Sequence, residues 1–564
     1  MTLAPSPPVL PTPAPAARAE WAPWVVPVVL LLACFACFFY GLGAYPLFDV
    51  DEPRYAEAAR QMLVRNDWIT PYFNGIVRFD KPPLFYWLVA MSYQALGISE
   101  FAARLISALC ATLSVAGVYA LVARFSSRRV ALGAALTLAS SLEFIALARM
   151  SITDMTLTLC LAATLGFAFL GVERNRRWLL AAGACAGLGL LAKGPVALAL
   201  PGAITLLYCL ITRQTMAILR SAWLWAGAGA ALLIAAPWYV AATQQNGETF
   251  LRALYQHNFS RYTGSVAYHP QPWHFYLPVL AIGFLPWSLF LPVTIVALAQ
   301  ERHSLNASER RLALFASLWA GGTLAFFSMA STKLLTYILP MFPALAIVTT
   351  MGWPLALEAR RRASLTSAAT LTLLLGALSA AFILWPNRLL PKMADTMSSL
   401  ARDPFAVAMA LTLTASAALS LVWMLRRRPW QSHASLALGM ALTTVLAIAS
   451  VIPAVNQATQ GAMLGFLAHV GSRPLASFEI TRPSLTFYGR RAIPQIGKDD
   501  YAKLKSLYRQ AADASPQGAL YLITKRSLTP SLMPLIPPDA RLSIVSQTPI
   551  YVLLSLSPTG AEKP

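Results

Sequence analysis

Apolar runs of about twenty residues, broken by short polar intervals, recur along this chain from position 25 to position 455. Each run is long enough to cross the hydrocarbon of a bilayer, so the pattern predicts membrane-spanning helices. The runs fall at 25–43, 102–123, 130–148, 155–172, 178–192, 196–212, 222–241, 274–299, 312–330, 334–353, 364–385, 403–425 and 434–454, about thirteen in all. The stretch 83–97 (PLFYWLVAMSYQALG) is apolar but short. Beyond Val455 the period changes. PLASFEI, SLTFYG, ALYLITK and the run from Leu542 to Leu556 read as strands, and 499–514 reads as an amphipathic helix. The expected fold is therefore an α-helical polytopic membrane protein. Its parts are a Pro/Ala-rich tail expected to be disordered (1–24), a transmembrane body (25–455) and a small α/β domain (456–564). The run at 25–43 exceeds a signal-peptide core and is expected to stay as a first span.

Composition sharpens this picture. The chain is 57% hydrophobic and 12% charged, with mean hydropathy +0.58, which fits a membrane body. Its formal charge is +21, and most of that excess sits in loops at 124–129, 174–177, 213–220, 302–311, 360–362 and 426–428. If 83–97 does not cross, all of these loops are cytoplasmic, as the positive-inside rule requires. The stretch 83–97, with Tyr86, Trp87 and Tyr93, then belongs at the outer interface. No soluble basic domain precedes the spans, so nucleic acid is not an expected partner. The six cysteines (34, 37, 110, 160, 185 and 209) all fall inside apolar runs and read as small buried residues.

The same topology places 44–101, 149–154, 193–195, 242–273 and 331–333 outside, together with the C-terminal segment. Phe48–Trp87 concentrates charge and aromatic residues in one outer loop. Asp51, Glu52 and Pro53 open a surface helix expected to run to about Asn66. Asp154 begins a span at the outer surface, where a carboxylate is costly unless paired or wet, and Arg149 is the nearest cation in sequence. Capping explains either acid equally well. Outer cations are more telling, because orientation does not require them. Arg54, Arg78, Lys81, Lys193, Arg252, Arg261 and Lys333 lie at outer loop or span ends. Snorkelling explains any one of them, whereas several on one face suggest an anion such as phosphate. Tyr255, His257, His269, Trp273 and His274 suit either a sugar or the membrane interface, and no HExxH-like pair signals a metal.

DEPRYAE, FDKPPLFYW, the Asp154 turn, AKGP, YQHNFSRY, PWHFYLPV, LPW and STKLLTYILPMFPAL follow one another in this order. In these motifs the chain resembles the bacterial membrane glycosyltransferases of the aminoarabinose transferase type, relatives of the protein O-mannosyltransferases and oligosaccharyltransferases. The resemblance implies a GT-C fold and transfer of a sugar from undecaprenyl phosphate at the periplasmic face of the inner membrane. The sugar would be 4-amino-4-deoxy-L-arabinose and the acceptor a lipid A phosphate. Asp51 matches the essential acid of the first periplasmic loop, and Asp154 a second functional acid. Arg54, Tyr55 and Lys81 fall in matching motifs, Lys81 as a ligand of the donor phosphate, and Tyr337 matches a later TY. The resemblance also implies a zinc held by Asp80, which stands where that motif carries Glu, and by His257. Two other classes compete: a protein O-glycosyltransferase of the same fold, and a lipid-linked sugar transporter. Transporters place ionisable groups near the midplane, whereas here they gather at the outer rim.

Overall fold

The structure, a computed structural model, describes residues 22–256, 270–389, 394–514 and 518–559. The expected disordered tail lies outside the described residues up to position 21. Among the described residues, eight helices are long and apolar enough to cross a bilayer. They are joined by one bent pair and several shorter apolar helices. Every expected span falls on apolar helix, but 130–148 and 274–299 are each broken into two pieces. Helices over 25–39, 178–193 and 196–211 fall short of the usual crossing length, as do the two pieces of 274–299, so length and composition alone support eight crossings, or nine with the bent pair.

The chain enters through α1 (Val25–Cys34), continued by a π turn to Phe39. α2 (Asp51–Arg65) is the expected surface helix, ending at Asn66 in the left-handed region (φ 51°). A two-residue ribbon follows, β1 (Tyr72–Phe73) paired antiparallel with β2 (Ile76–Val77). α3 (Leu84–Leu96) is the short apolar stretch. Its 13 residues reach roughly 20 Å, less than the hydrocarbon core, and it packs on α2 and on α4 (Glu100–Val122). The expected span 130–148 is broken into α5 (Arg128–Ala139) and α6 (Leu142–Ala148), bent by 65° at Ser140–Ser141. Paired serines commonly sit at such kinks. Here Trp287 donates its indole N–H to Ser140 Oγ at 3.1 Å inside the bend.

α7 (Thr153–Glu173) and α8 (Trp178–Lys193) form a tight hairpin, followed by α9 (Val196–Ile211). α8 is clamped on its other side by the helix Ala222–Tyr255. The two helices meet at Gly183 and Gly227, where a Cβ on Gly183 would lie 2.0 Å from the Gly227 carbonyl oxygen. Only glycine permits that approach, which fixes the first half of α8 against its neighbour.

The C-terminal region holds a five-stranded sheet of order β4–β3–β5–β7–β6. β3 (Leu475–Phe478) pairs parallel with β4 (Gln495–Ile496) and β5 (Leu520–Lys525). β7 (Tyr551–Pro558) pairs antiparallel with β5 and with β6 (Ala540–Gln547). The helix Tyr501–Ala514 forms as expected and buries Leu504, Tyr508 and Ala511. SLTFYG is not a strand: Pro483 sits in the first turn of a helix, Pro483–Gly489, which buries Leu485 and Phe487. The boundary expected at 455/456 falls inside the helix Ile452–Val470, whose Met463, Phe466 and Val470 pack into one core of the sheet.

That domain rests on the first outer loop through polar contacts. Asp49 accepts from the backbone N–H (2.9 Å) and hydroxyl (2.5 Å) of Ser484. Tyr488 accepts from the Leu47 N–H at 2.8 Å and donates to Glu100 at 3.0 Å. Asn74 exchanges two hydrogen bonds with the backbone of Ile493.

Candidate active site

α2 sits where it does because of a carboxylate on its buried face. Glu52 is fully buried and binds Arg104 of α4 through two bonds of 2.9 Å. Arg104 gives its other N–H groups to the carbonyls of Leu42, Tyr45 and Pro46. All five guanidinium donors are thereby used. Glu52 also accepts from the N–H of Phe48 (2.8 Å) and of Ser151 (2.7 Å). This last bond ties the start of α2 to the turn before Asp154, so one buried ion pair holds both acid-bearing loops.

Asp51, one residue earlier, behaves in the opposite way. Its side chain is 63% exposed, and its nearest cation is Arg54, 3.9 Å away in the next turn. It makes no capping hydrogen bond, so capping does not account for it. The same holds at the start of α7, where Asp154 makes no cap bond and the Ser151 and Thr153 hydroxyls are buried without partners among the described residues. Asp154 instead accepts from the Lys193 ammonium at 2.7 Å, and that ammonium lies 4.5 Å from the centre of the Tyr337 ring. Lys193 ends α8, and Tyr337 stands in the short helix Leu335–Met341. Arg149 is not the partner of Asp154. It turns the other way and donates to the carbonyls of Cys37 and Tyr40. Proximity in sequence suggested Arg149, but the α7–α8 hairpin brings Lys193 closer.

A second cluster lies under the β1–β2 ribbon. Arg78 pairs with Asp80, and Tyr86 donates to the other Asp80 oxygen at 3.5 Å. The Arg78 guanidinium faces the rings of Tyr55 (5.5 Å) and Phe73 (5.8 Å), and Tyr55 stacks on Tyr86. Burial pushes both phenols above their usual range, with Asp80 adding to the effect, so both stay protonated. Arg54 reaches the Phe73 ring at 6.0 Å, linking this cluster to Asp51. Lys81 follows Asp80 directly, half-buried in the bend before α3. Lys333 is buried and donates to the carbonyls of Ala330 (2.6 Å) and Gln271 (3.0 Å), so it holds the outer turn 330–334 together. Arg252 pairs with Glu248 on an exposed surface. His257, Arg261 and His269 lie outside the described residues.

The zinc expectation has one donor within reach of description. Both oxygens of Asp80 already accept bonds, and among the described residues no three His, Cys, Asp or Glu side chains converge as a metal site. Each Asp80 oxygen keeps a further lone pair, so a metal there would share the carboxylate with Arg78 and Tyr86.

Sequence reasoning missed Glu52 and Arg104, the Glu57–Arg60 pair on the same buried face, and the clasp of Asp49 by Ser484 and Arg482. For Glu52 a signal existed. It shares a helical stripe with Ala56 and Ala59, and a carboxylate on an apolar stripe requires a buried cation.

The membrane helices, the surface helices on their outer side and the small sheet domain together constitute a GT-C fold. Residues 80–240 match the dolichyl-phosphate-mannose-protein mannosyltransferase family. The chain superposes on a crystal structure of ArnT from Cupriavidus metallidurans bound to undecaprenyl phosphate with a TM-score of 0.75. That match has 24% identity and covers 96% of this chain and 100% of the other. The apo state of the same ArnT gives 0.75 at 25% identity, covering 94% of this chain and 97% of the other. In sequence, the chain resembles the undecaprenyl phosphate-α-4-amino-4-deoxy-L-arabinose arabinosyl transferase of Pseudomonas savastanoi pv. phaseolicola. The two are 35% identical over 327 residues, 57% of this chain and 60% of the relative. The transferase of the same name from Aeromonas hydrophila is 34% identical over 334 residues, 58% of each chain. The matched stretch thus spans about 60% of the length of these relatives.

Proposed function

We propose that this chain is a glycosyltransferase that moves 4-amino-4-deoxy-L-arabinose from undecaprenyl phosphate to a lipid A phosphate at the periplasmic face of the inner membrane. The observation that carries this reading is the Asp154–Lys193 pair under Tyr337, held beside the Asp51 helix by the Glu52–Ser151 bond. The names of the similar transferases support the choice of donor and sugar.

In this reaction the bond from sugar C1 to the donor phosphate oxygen breaks, and its electrons leave on the phosphate. A phosphate oxygen of the acceptor forms the new bond to C1. Negative charge grows on the departing phosphate, and cations already fixed in place stabilise it without reorganising. Lys193 and Arg54 would take that role, with Lys81 at the neighbouring bend. An acceptor phosphate is already ionised and needs no general base. Asp51 then acts through its charge, on the cationic C1 centre or on the sugar ammonium. No step requires a metal at Asp80.

The test is transfer by the purified chain, with the lipid-linked aminosugar as donor and lipid A as acceptor, read by mass spectrometry. A pentosamine-sized addition on phosphate is expected, and its absence would sink the reading. The mannosyltransferase family match favours a second acceptor class, the hydroxyl of a protein Ser or Thr. Glycosylation of a Ser/Thr peptide in place of lipid A would select it, and there Asp51 would serve as the base.

A further inference from the structure

Buried polar atoms in native structures are almost all hydrogen-bonded. Around the Asp154–Lys193 pair several are not. Both carboxylate oxygens of Glu143 are shut from solvent without a partner among the described residues, as are the hydroxyls of Ser151, Thr153 and Tyr276. Ser151 and Thr153 belong to the turn that presents Asp154. Glu143 and Tyr276 come from two further elements.

Glu143 lies in α6, the outer limb of the broken span, which packs against the helix Tyr276–Gly283 and the short helix Leu335–Met341. Its carboxylate rests on Gly283, where a Cβ would lie 2.2 Å from Oε2, so bare backbone makes room for it. Tyr276 and Gly283 share one face of their helix, about 10 Å apart along its axis, with Tyr276 at the outer end. The Tyr276 side chain is fully buried. Its hydroxyl is within electrostatic range of Glu143 and Tyr337, and it sits near the Leu334 N–H without a hydrogen bond of normal geometry. Glu143 is in turn within electrostatic range of Asp154. One carboxylate, two phenols and the ion pair therefore border one region.

Charge decides what belongs there. Lys193 is committed to Asp154. Arg149 donates to the carbonyls of Cys37 and Tyr40, and Lys333 to those of Ala330 and Gln271. No cation lies within ion-pair distance of Glu143 among the described residues. Two carboxylates thus share one ammonium, and the region is short of a positive charge. A carboxylate buried without a cation is costly. A ligand ammonium supplies the missing charge and three N–H donors, whereas a neutral hydroxyl supplies no charge.

We propose that Glu143 is the specificity-determining residue of the donor site and receives the 4-ammonium of the sugar. C4 and C1 lie at opposite ends of a pyranose ring, so an ammonium seated against Gly283 leaves C1 facing outward, toward Lys193 and Asp51. This inference rests on the proposed function and deepens it. It assigns the amine to Glu143 and leaves the Asp51 charge for C1.

The test uses the full-length protein in detergent, with lipid A as acceptor and two donors. One is undecaprenyl phosphate carrying 4-amino-4-deoxy-L-arabinose, and the other is the same lipid carrying L-arabinose, whose C4 bears a neutral hydroxyl. The wild type should prefer the amino donor in kcat/KM by at least about tenfold. Glu143→Gln keeps the shape and removes the charge. It should raise the amino-donor KM by at least about tenfold and leave kcat/KM for the arabinosyl donor within about twofold, so that the preference collapses. Turnover of the arabinosyl donor also reports that the variant folds. Melting in detergent should not fall, because the carboxylate has no protein partner to lose. An unchanged amino-donor KM overturns the assignment, as does a wild type without amino preference. Equal losses on both donors, or a lowered melting temperature, would make Glu143 a structural residue and overturn it too. A wild type that transfers neither sugar to lipid A removes the proposed function itself, whereas wild-type transfer with the preference intact in Glu143→Gln removes only this assignment.

Discussion

Asp51 and Glu52 are neighbours in sequence and belong to different regions of the molecule. Below α2 is a brace: Glu52 and Arg104 are wholly buried, and every donor and acceptor they own is used. Above it is an open mouth, where Asp51 is largely exposed and loosely paired with Arg54. The same carboxylate chemistry serves architecture in one place and availability in the other. A charge whose hydrogen bonds are all satisfied by protein has nothing left for a substrate. A charge facing water can exchange that water for one. The two regions should therefore respond to mutation in opposite currencies, stability below and rate above.

The largest effect is expected in the brace. Arg104→Met strands the Glu52 carboxylate in the interior, and breaking a buried pair from one side costs about 3–5 kcal/mol. Thermal unfolding in detergent should show a large drop, and activity should fall with the folded fraction. An Arg104→Met protein of wild-type stability would break the comparison.

The Asp154–Lys193 pair is intermediate, its two side chains 12% and 10% exposed. Asp154→Asn keeps an acceptor for the ammonium but removes the charge. A stability loss of about 1–3 kcal/mol is expected, typical of an imperfectly satisfied buried group. Transfer should fall at least a hundredfold, as for loss of a preorganised electrostatic partner. A large rate loss at wild-type melting temperature would move this pair to the mouth's class. A rate loss matching the unfolded fraction would move it to the brace's.

The clasp between Asp49 and the C-terminal domain gives a smaller effect with a pH signature. Burial raises the Asp49 carboxyl above its ordinary value of 3.8, against the pull of Ser484, Arg482 and Arg54. A folded-state value above the unfolded one means the group's contribution is fully present below the unfolded value and is lost as pH rises through the folded one. Wild-type stability should thus decline relative to Asp49→Asn as pH rises through the window just above 3.8. Paired melting curves from acid to neutral pH check the sign. Wild-type stability that rises relative to Asp49→Asn across that window would contradict it.

These regions were not equally legible in the sequence. Asp154 and Lys193 stood out because each is charged in an apolar setting beside a short outer turn, and Tyr337 through the resemblance alone. Their mutual contact was not visible, since Asp154 and Lys193 are brought together by the packing of α7 on α8. Glu52 was hidden by its neighbour. Reading DEPRYAE as one acidic opening overlooked that the helical period turns Asp51 outward and Glu52 toward Ala56 and Ala59. SLTFYG was misread because its alternation and aromatic residues satisfy a strand template, while the decisive feature was the proline just ahead of it. The broken span at Ser140–Ser141 left no mark in a hydropathy pattern, because its two halves together read as one apolar span.

The smallest effect on stability, and the sharpest use of the comparison, belongs to Asp51→Asn. The residue is exposed, caps nothing and meets Arg54 at 3.9 Å. Exposed pairs of this kind contribute little, so melting should shift by no more than the equivalent of about 0.5 kcal/mol. Transfer should nonetheless fall by about two to three orders of magnitude, because the lost charge acts on the cationic centre of the reaction. The acceptor decides the pH behaviour. With a phosphate acceptor, the residual rate should be flat across neutral pH, since no proton is removed. With a hydroxyl acceptor, the residual rate should rise with pH as solvent base replaces the carboxylate. Unchanged rate in Asp51→Asn would leave the mouth with no chemical role and reduce the exposed acid to a surface charge.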